Sequence, residues 1–97
     1  MTHYMERMFM KIKKGYILKN VADQHIVVPI GEETLNFNGL LNLNESGVML
    51  FNKLLEESTM EELVQLLTDY YLIDEETARL DIEAFINVLE SKKIIER

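Results

Sequence analysis

Two histidines, three serines and several adjacent carboxylates are the residues here whose types could do chemistry, and their spacing argues against it in each case. His3 and His25 have no second histidine at metal-ligand spacing, and His25 opens an apolar, strand-like run. Ser46, Ser58 and Ser91 have no neighbouring histidine to act as base, and the first two suit the starts of helices. Glu56-Glu57, Glu61-Glu62 and Glu75-Glu76 are adjacent pairs that diverge on a helix, where they serve solvated faces or helix dipoles. Four isolated glycines cannot form a phosphate-cradling loop, and the lack of cysteine removes thiolate zinc, iron–sulfur and thiol chemistry. The expectation is a chain that is not an enzyme by itself and holds neither metal nor cofactor.

Size and charge narrow the remaining classes. A chain of 97 residues forms one domain and buries only about 60–65 % of its unfolded surface, which leaves little room for a deep cavity. The net charge of −7 is unevenly spread: residues 1–43 carry five basic and four acidic side chains, so residues 44–97 hold −8. Such a half repels phosphate backbones, which argues against a nucleic-acid partner. No apolar run approaches the ~18 residues of a membrane span. Glu6 and Arg7 interrupt Met1–Met10, so no signal peptide is expected, and with no cysteine the expected compartment is the cytoplasm.

The elements that must position any site divide near Asn44. Before it, β-branched and aromatic runs at 15–21, 25–30 and 36–43 predict three strands, the first two joined by a short hairpin at Ala22-Asp23-Gln24. Pro29 belongs at a strand end. A rival reading turns the chain at Asn38-Gly39. After Asn44, an N-cap, Val48, Leu50, Phe51, Leu54 and Leu55 predict a helix to about Glu57. Thr59-Met60-Glu61-Glu62 is a capping box opening a second helix, with Met60, Leu63, Val64, Leu67, Tyr70 and Tyr71 apolar. Asp74 caps a third, which ends near Lys92 and Lys93.

That third helix carries two apolar rows. Ala78, Ile82, Phe85, Ile86 and Leu89 form the expected core face, whereas Leu80, Ala84 and Val88 lie well off it at spacings of four. Either the helix touches two neighbours, or the second row lines a groove left open for a partner. The N-terminal residues 1–10, with methionines at 1, 5, 8 and 10, are expected as a flexible arm, and 11–97 as the folded domain.

The order of three strands then three helices suggests an α+β, winged-helix-like fold, with a three-stranded antiparallel sheet. Phe37-Asn38-Gly39-Leu40-Leu41-Asn42-Leu43-Asn44-Glu45-Ser46-Gly47, followed by Phe51, Leu54 and Leu55, resembles the strand-to-helix junction of the PqqD family. Thr59 to Leu63 and Asp81 to Leu89, with the closing Ile94-Ile95, continue that pattern over roughly residues 11–95. The family often has Trp where Phe51 stands, a change that keeps an aromatic core anchor.

The resemblance implies a recognition element for ribosomally made, post-translationally modified peptides. Such modules bind the leader of a precursor peptide and present its core to a modifying enzyme, often a radical SAM protein, or to a leader peptidase in lasso-peptide systems. The leader is then expected as an added strand beside the third strand, packed against the third helix. That places Phe37, Leu40, Leu41 and Asn42 on the strand and Leu80, Ala84, Asn87 and Val88 on the helix as contacts. Leu41 shares a face with Leu43 and has an alternative reading as wholly core. The −8 helical half favours a leader with basic residues beside its apolar anchors. Two alternatives stay open: a winged-helix regulator binding DNA or protein, and a homodimer whose strand edge is occupied by a second copy. Against DNA, the third helix carries only Arg79 before its C-terminal lysines, facing Glu75, Glu76, Asp81, Glu83 and Glu90.

Overall fold

The computed structural model describes residues 9–35 and 41–97. Phe37, Leu40 and the rival Asn38-Gly39 turn lie outside the described residues, as do residues 1–8 of the expected arm. The strands are β1 (Lys11–Ile12), β2 (Tyr16–Val21), β3 (Gln24–Pro29), β4 (Leu41–Leu43) and β5 (Ile95–Glu96). A 3-10 helix, Gly31–Leu35, follows β3, and the helices are α1 (Glu45–Lys53), α2 (Met60–Tyr70) and α3 (Glu75–Ser91).

The main sheet is antiparallel in the order β2-β3-β4 and accounts for the three expected strands. Pairing of Val21 with Gln24 leaves only Ala22 and Asp23 in the hairpin loop, and Ala22 adopts φ 56°. A positive φ at the first loop residue matches the twist of a two-residue hairpin, though glycine is the residue that holds it without steric cost. Pro29 closes β3, where no further ladder donor is required.

Two short strands were not anticipated. β1 and β5 pair antiparallel, Ile12 opposite Ile95, and bury both isoleucines. On its other side β1 is held by the segment after α1: Ile12 N donates to Leu54 O (2.8 Å), and Met10 exchanges two backbone hydrogen bonds with Ser58 (2.8 and 2.9 Å). Met10, at the end of the expected arm, is buried in the core. Two-residue strands are shorter than any repeat that periodicity can register.

All three N-caps form as expected. Asn44 Oδ1 accepts from Gly47 N (2.9 Å), Asp74 Oδ1 accepts from Thr77 N (2.8 Å), and Thr59 and Glu62 close the capping box in both directions (2.9 and 3.2 Å). The end of α1 differs from the expectation of Glu57. The helix stops at Lys53, because buried Ser58 donates its hydroxyl to the carbonyls of Lys53 and Glu56 and draws the chain back toward Met10. Leu55 consequently points outward, and so does Tyr70 at the last turn of α2. The core gathers Leu50, Phe51, Leu54, Leu63, Leu67, Ile82, Leu89 and Ile94 between the helices, with Val27 and Leu43 from the sheet. No described helix is long and apolar enough to cross a membrane.

Candidate functional site

β4 is the last strand of the sheet. It pairs with β3 through Leu41–Val27, Asn42–Ile26 and Leu43–His25, and its other edge has no partner strand among the described residues. Alternation sends Leu43 into the core and half-buried Leu41 along with it, while Asn42 is exposed on the opposite face. Asn42 Nδ2 donates across the sheet to Gln24 Oε1 at 3.4 Å. Such an edge presents backbone N–H and C=O groups to any extended segment laid beside it.

α3 meets this edge through a close approach at α1. Gly47, in the first turn of α1, leaves a position where a Cβ would lie 3.3 Å from Leu43 Cβ and 3.5 Å from Phe85 Cε1. Phe85 of α3 therefore rests over the β4–α1 junction. Stepping around α3 from the core face, Ile82 and Leu89 come first, then Phe85, then Val88, Ala84 and Leu80 at about 100° per residue. The core face is as expected for Ala78, Ile82, Ile86 and Leu89, all buried, with Phe85 half-buried at its flank.

The second row has no covering neighbour within the described residues. Leu80 is 61 % exposed and Val88 40 %, and Ala84 and Asn87 are exposed beside them. Contact of this row with a second neighbour, one of the two readings, is not seen among the described residues. The row brings Leu80, Ala84, Asn87 and Val88 together on one face of α3, next to the flank that meets the β4–α1 junction.

Beside the start of α1 lies an open depression of about 320 Å³, lined by Asn44, Glu45 and Ser46, by Leu67 of α2 with Tyr71 and Ile73 after it, and by Asp81 of α3. Tyr71 OH donates to Glu45 Oε1 at 3.4 Å, and its ring meets Tyr70 edge-on at 4.9 Å between centroids. Burial first, and then the neighbouring Glu45 charge, holds the Tyr71 phenol above its ordinary pKa, so it remains a donor. Neither Gly47 nor the residues lining this depression were among the contacts expected from sequence. The signal for Gly47 was a helix-disfavouring residue in the first turn of an otherwise strong helix. His25 sits on β3 opposite Leu43, and no group of three or more His, Asp or Glu among the described residues could hold a metal ion.

Comparison with known proteins places this geometry. A family model described as coenzyme PQQ synthesis protein D (PqqD) matches residues 24–95, well over half the chain. No curated protein sequence matches it. Among solved structures, TbiB1 in complex with the TbiA(beta) leader peptide is similar at 21 % identity and TM-score 0.71, over 89 % of this chain and 94 % of that one. A lasso peptide synthetase B1 complexed with the leader peptide shares 16 % identity at TM-score 0.71, over 91 % and 98 %. The solution structure of the PqqD truncation of Methylobacterium extorquens PqqCD, described as a functional and stand-alone RiPP recognition element, shares 19 % identity at TM-score 0.71, over 92 % and 89 %. At these identities the likeness to the three structures is one of fold.

Proposed function

This chain belongs to the PqqD family, and from that premise we propose that it is a non-catalytic module that captures the leader segment of a ribosomally made, modified peptide and presents it to a separate enzyme. The leader adds as a strand on the open edge of β4 and lays side chains onto the α3 row. The observation that carries this reading is the coincidence of a strand edge unpaired among the described residues with exposed apolar side chains on the adjoining helix. Backbone pairing supplies affinity without regard to sequence, and the exposed side chains of Leu80, Ala84, Asn87 and Val88 select among those of the leader. Leu41 and Asn42 contribute the described part of the strand; the expected contacts Phe37 and Leu40 lie outside the described residues. Two of the solved structures of this fold are described as leader-peptide complexes, which supports a leader peptide as the ligand here.

Size favours delivery over chemistry. The depression beside the start of α1 is near the lower limit of ~300 Å³ for small-molecule sites, and the cysteine-free chain leaves radical or thiol chemistry to its partner. That partner is a modifying enzyme such as a radical SAM protein, or a leader peptidase in a lasso-peptide system. Anisotropy of a labelled leader from the precursor encoded beside this chain's gene tests the reading. Saturable binding is expected, and no binding at high micromolar protein contradicts it.

A further inference from the structure

We infer that the outer face of the β2-β3-β4 sheet is where the separate modifying enzyme docks onto the leader-loaded protein, through an apolar surface with a carboxylate placed to meet Lys19. This deepens the leader-binding reading and rests on it. A module that only presents a peptide needs a surface for the enzyme that stays free once the groove is filled.

Strand register fixes what this face carries. Ile17 pairs with Val28, Lys19 with Ile26 and Val21 with Gln24, and Asn42 of β4 stands beside Ile26. Alternation puts these side chains on one side of the sheet, while Tyr16, Leu18, Val27 and Leu43 turn the other way, into the core. An antiparallel sheet with one face on a core usually sets polar residues on the other. Here Ile17, Val21, Ile26 and Val28 are apolar, and only Lys19 and Gln24 of the β2–β3 pairs are polar. Ile17 and Val21 are exposed, Val28 is half-buried, and Ile26 is buried yet lies apart from the core cluster. One exposed aliphatic side chain is ordinary, but a set contiguous across two paired strands marks an interaction surface.

Charge and position say what covers it. The three strands hold no acidic residue, and Lys19 is their one formal charge with His25 neutral, whereas α2 carries three acidic residues and α3 five. Lys19 has no ion-pair partner among the described residues, where the one salt bridge joins Arg97 to Glu90. In a chain of net charge −7, this face is thus where an acidic protein surface approaches without repulsion and finds a cation to pair with. An apolar centre poor in charge is also the composition of a protein interface. The face is continuous with the leader site through Asn42, because a strand added beyond β4 sends every second side chain onto the same side. An enzyme seated there touches module and leader together, and so binds the loaded protein more tightly than the empty one.

The test measures association of the modifying enzyme encoded beside this chain's gene with the leader-loaded protein by biolayer interferometry. Wild type, Ile17→Asp, Lys19→Glu and the double variant Ile17→Thr/Val21→Thr are compared, with anisotropy of the labelled leader read on the same samples. Threonine keeps strand propensity, so the double variant reports on docking even where aspartate disturbs the fold. Leader affinity is expected to stay within about twofold of wild type, while enzyme affinity falls at least about tenfold for Ile17→Asp and about threefold for the threonine pair. Lys19→Glu should weaken association at low salt and approach wild type as salt rises. If the loaded wild type does not associate with the enzyme, or if the variants associate as wild type does, the docking face is overturned and leader capture stands. Sedimentation showing that copies of this chain pair through the same residues overturns it as well. If the leader does not bind wild-type protein at all, both readings fall together.

Discussion

Phe85 of α3 lies over Gly47 of α1, its Cε1 3.5 Å from where a Cβ on that glycine would stand. The same point is 3.3 Å from Leu43 Cβ, so one missing side chain sets how closely α3 approaches the end of β4. A branched side chain would have to push Phe85 or Leu43 aside. Gly47→Val is expected to cost about 1–3 kcal/mol by overpacking, measured by urea unfolding, and to weaken leader binding by widening the groove.

The two rows of α3 should separate stability from binding. Ile82 is fully buried, and Ile82→Ala is expected to cost about 2–5 kcal/mol. Leu80 and Val88 face solvent, so Leu80→Asp and Val88→Asp should change stability by no more than about 0.5 kcal/mol. Each should nonetheless weaken leader binding at least about tenfold, since burying such a side chain contributes roughly 1.5–3 kcal/mol. Thermal melts beside anisotropy titrations of the same variants read both effects.

Ala22 holds φ 56° in the two-residue loop between β2 and β3. Ala22→Gly removes a left-handed cost of about 1–2 kcal/mol and adds about 0.5–1 kcal/mol of unfolded-state entropy. A net gain of roughly 0.5 kcal/mol, or about 2–4 °C in Tm, is expected by calorimetry.

Asp74 carries an acid-dependent part of the stability. Hydrogen bonds from Thr77, side chain first and then backbone, hold its carboxyl below the ordinary value of 3.8. A depressed folded pKa means a contribution present above the unfolded value and lost as pH falls through the folded one. Asp74→Asn keeps a capping acceptor but cannot titrate. Its melting temperature should therefore fall less than that of the wild type between pH 5 and pH 2, on the order of the window set by carboxylate linkage.

The helical half was legible because its signals are local. Asn44, Thr59 and Asp74 cap where their side chains can reach the next turn, and Ala78, Ile82, Ile86 and Leu89 repeat at the helical period. The β2–β3 hairpin was legible for the same reason. The β1–β5 ribbon was not, because Ile12 and Ile95 meet only when the two ends of the domain converge, and two residues carry no period. The end of α1 depended on a Ser58 hydroxyl turned back on Lys53, a tertiary choice. At the site, the exposed row of α3 could be seen as a second stripe, but its being uncovered depended on where α1 and β4 lie.

Leader capture by strand addition is tested most directly by amide exchange of the isotope-labelled protein, with and without the leader. New protection is expected at the amides of Leu41–Leu43 and chemical-shift changes at Leu80, Ala84, Asn87 and Val88, with the outer edge of β2 and the β1–β5 ribbon unaffected. Protection that appears instead along Tyr16–Val21, or binding that leaves β4 and α3 unchanged, contradicts this mode of capture.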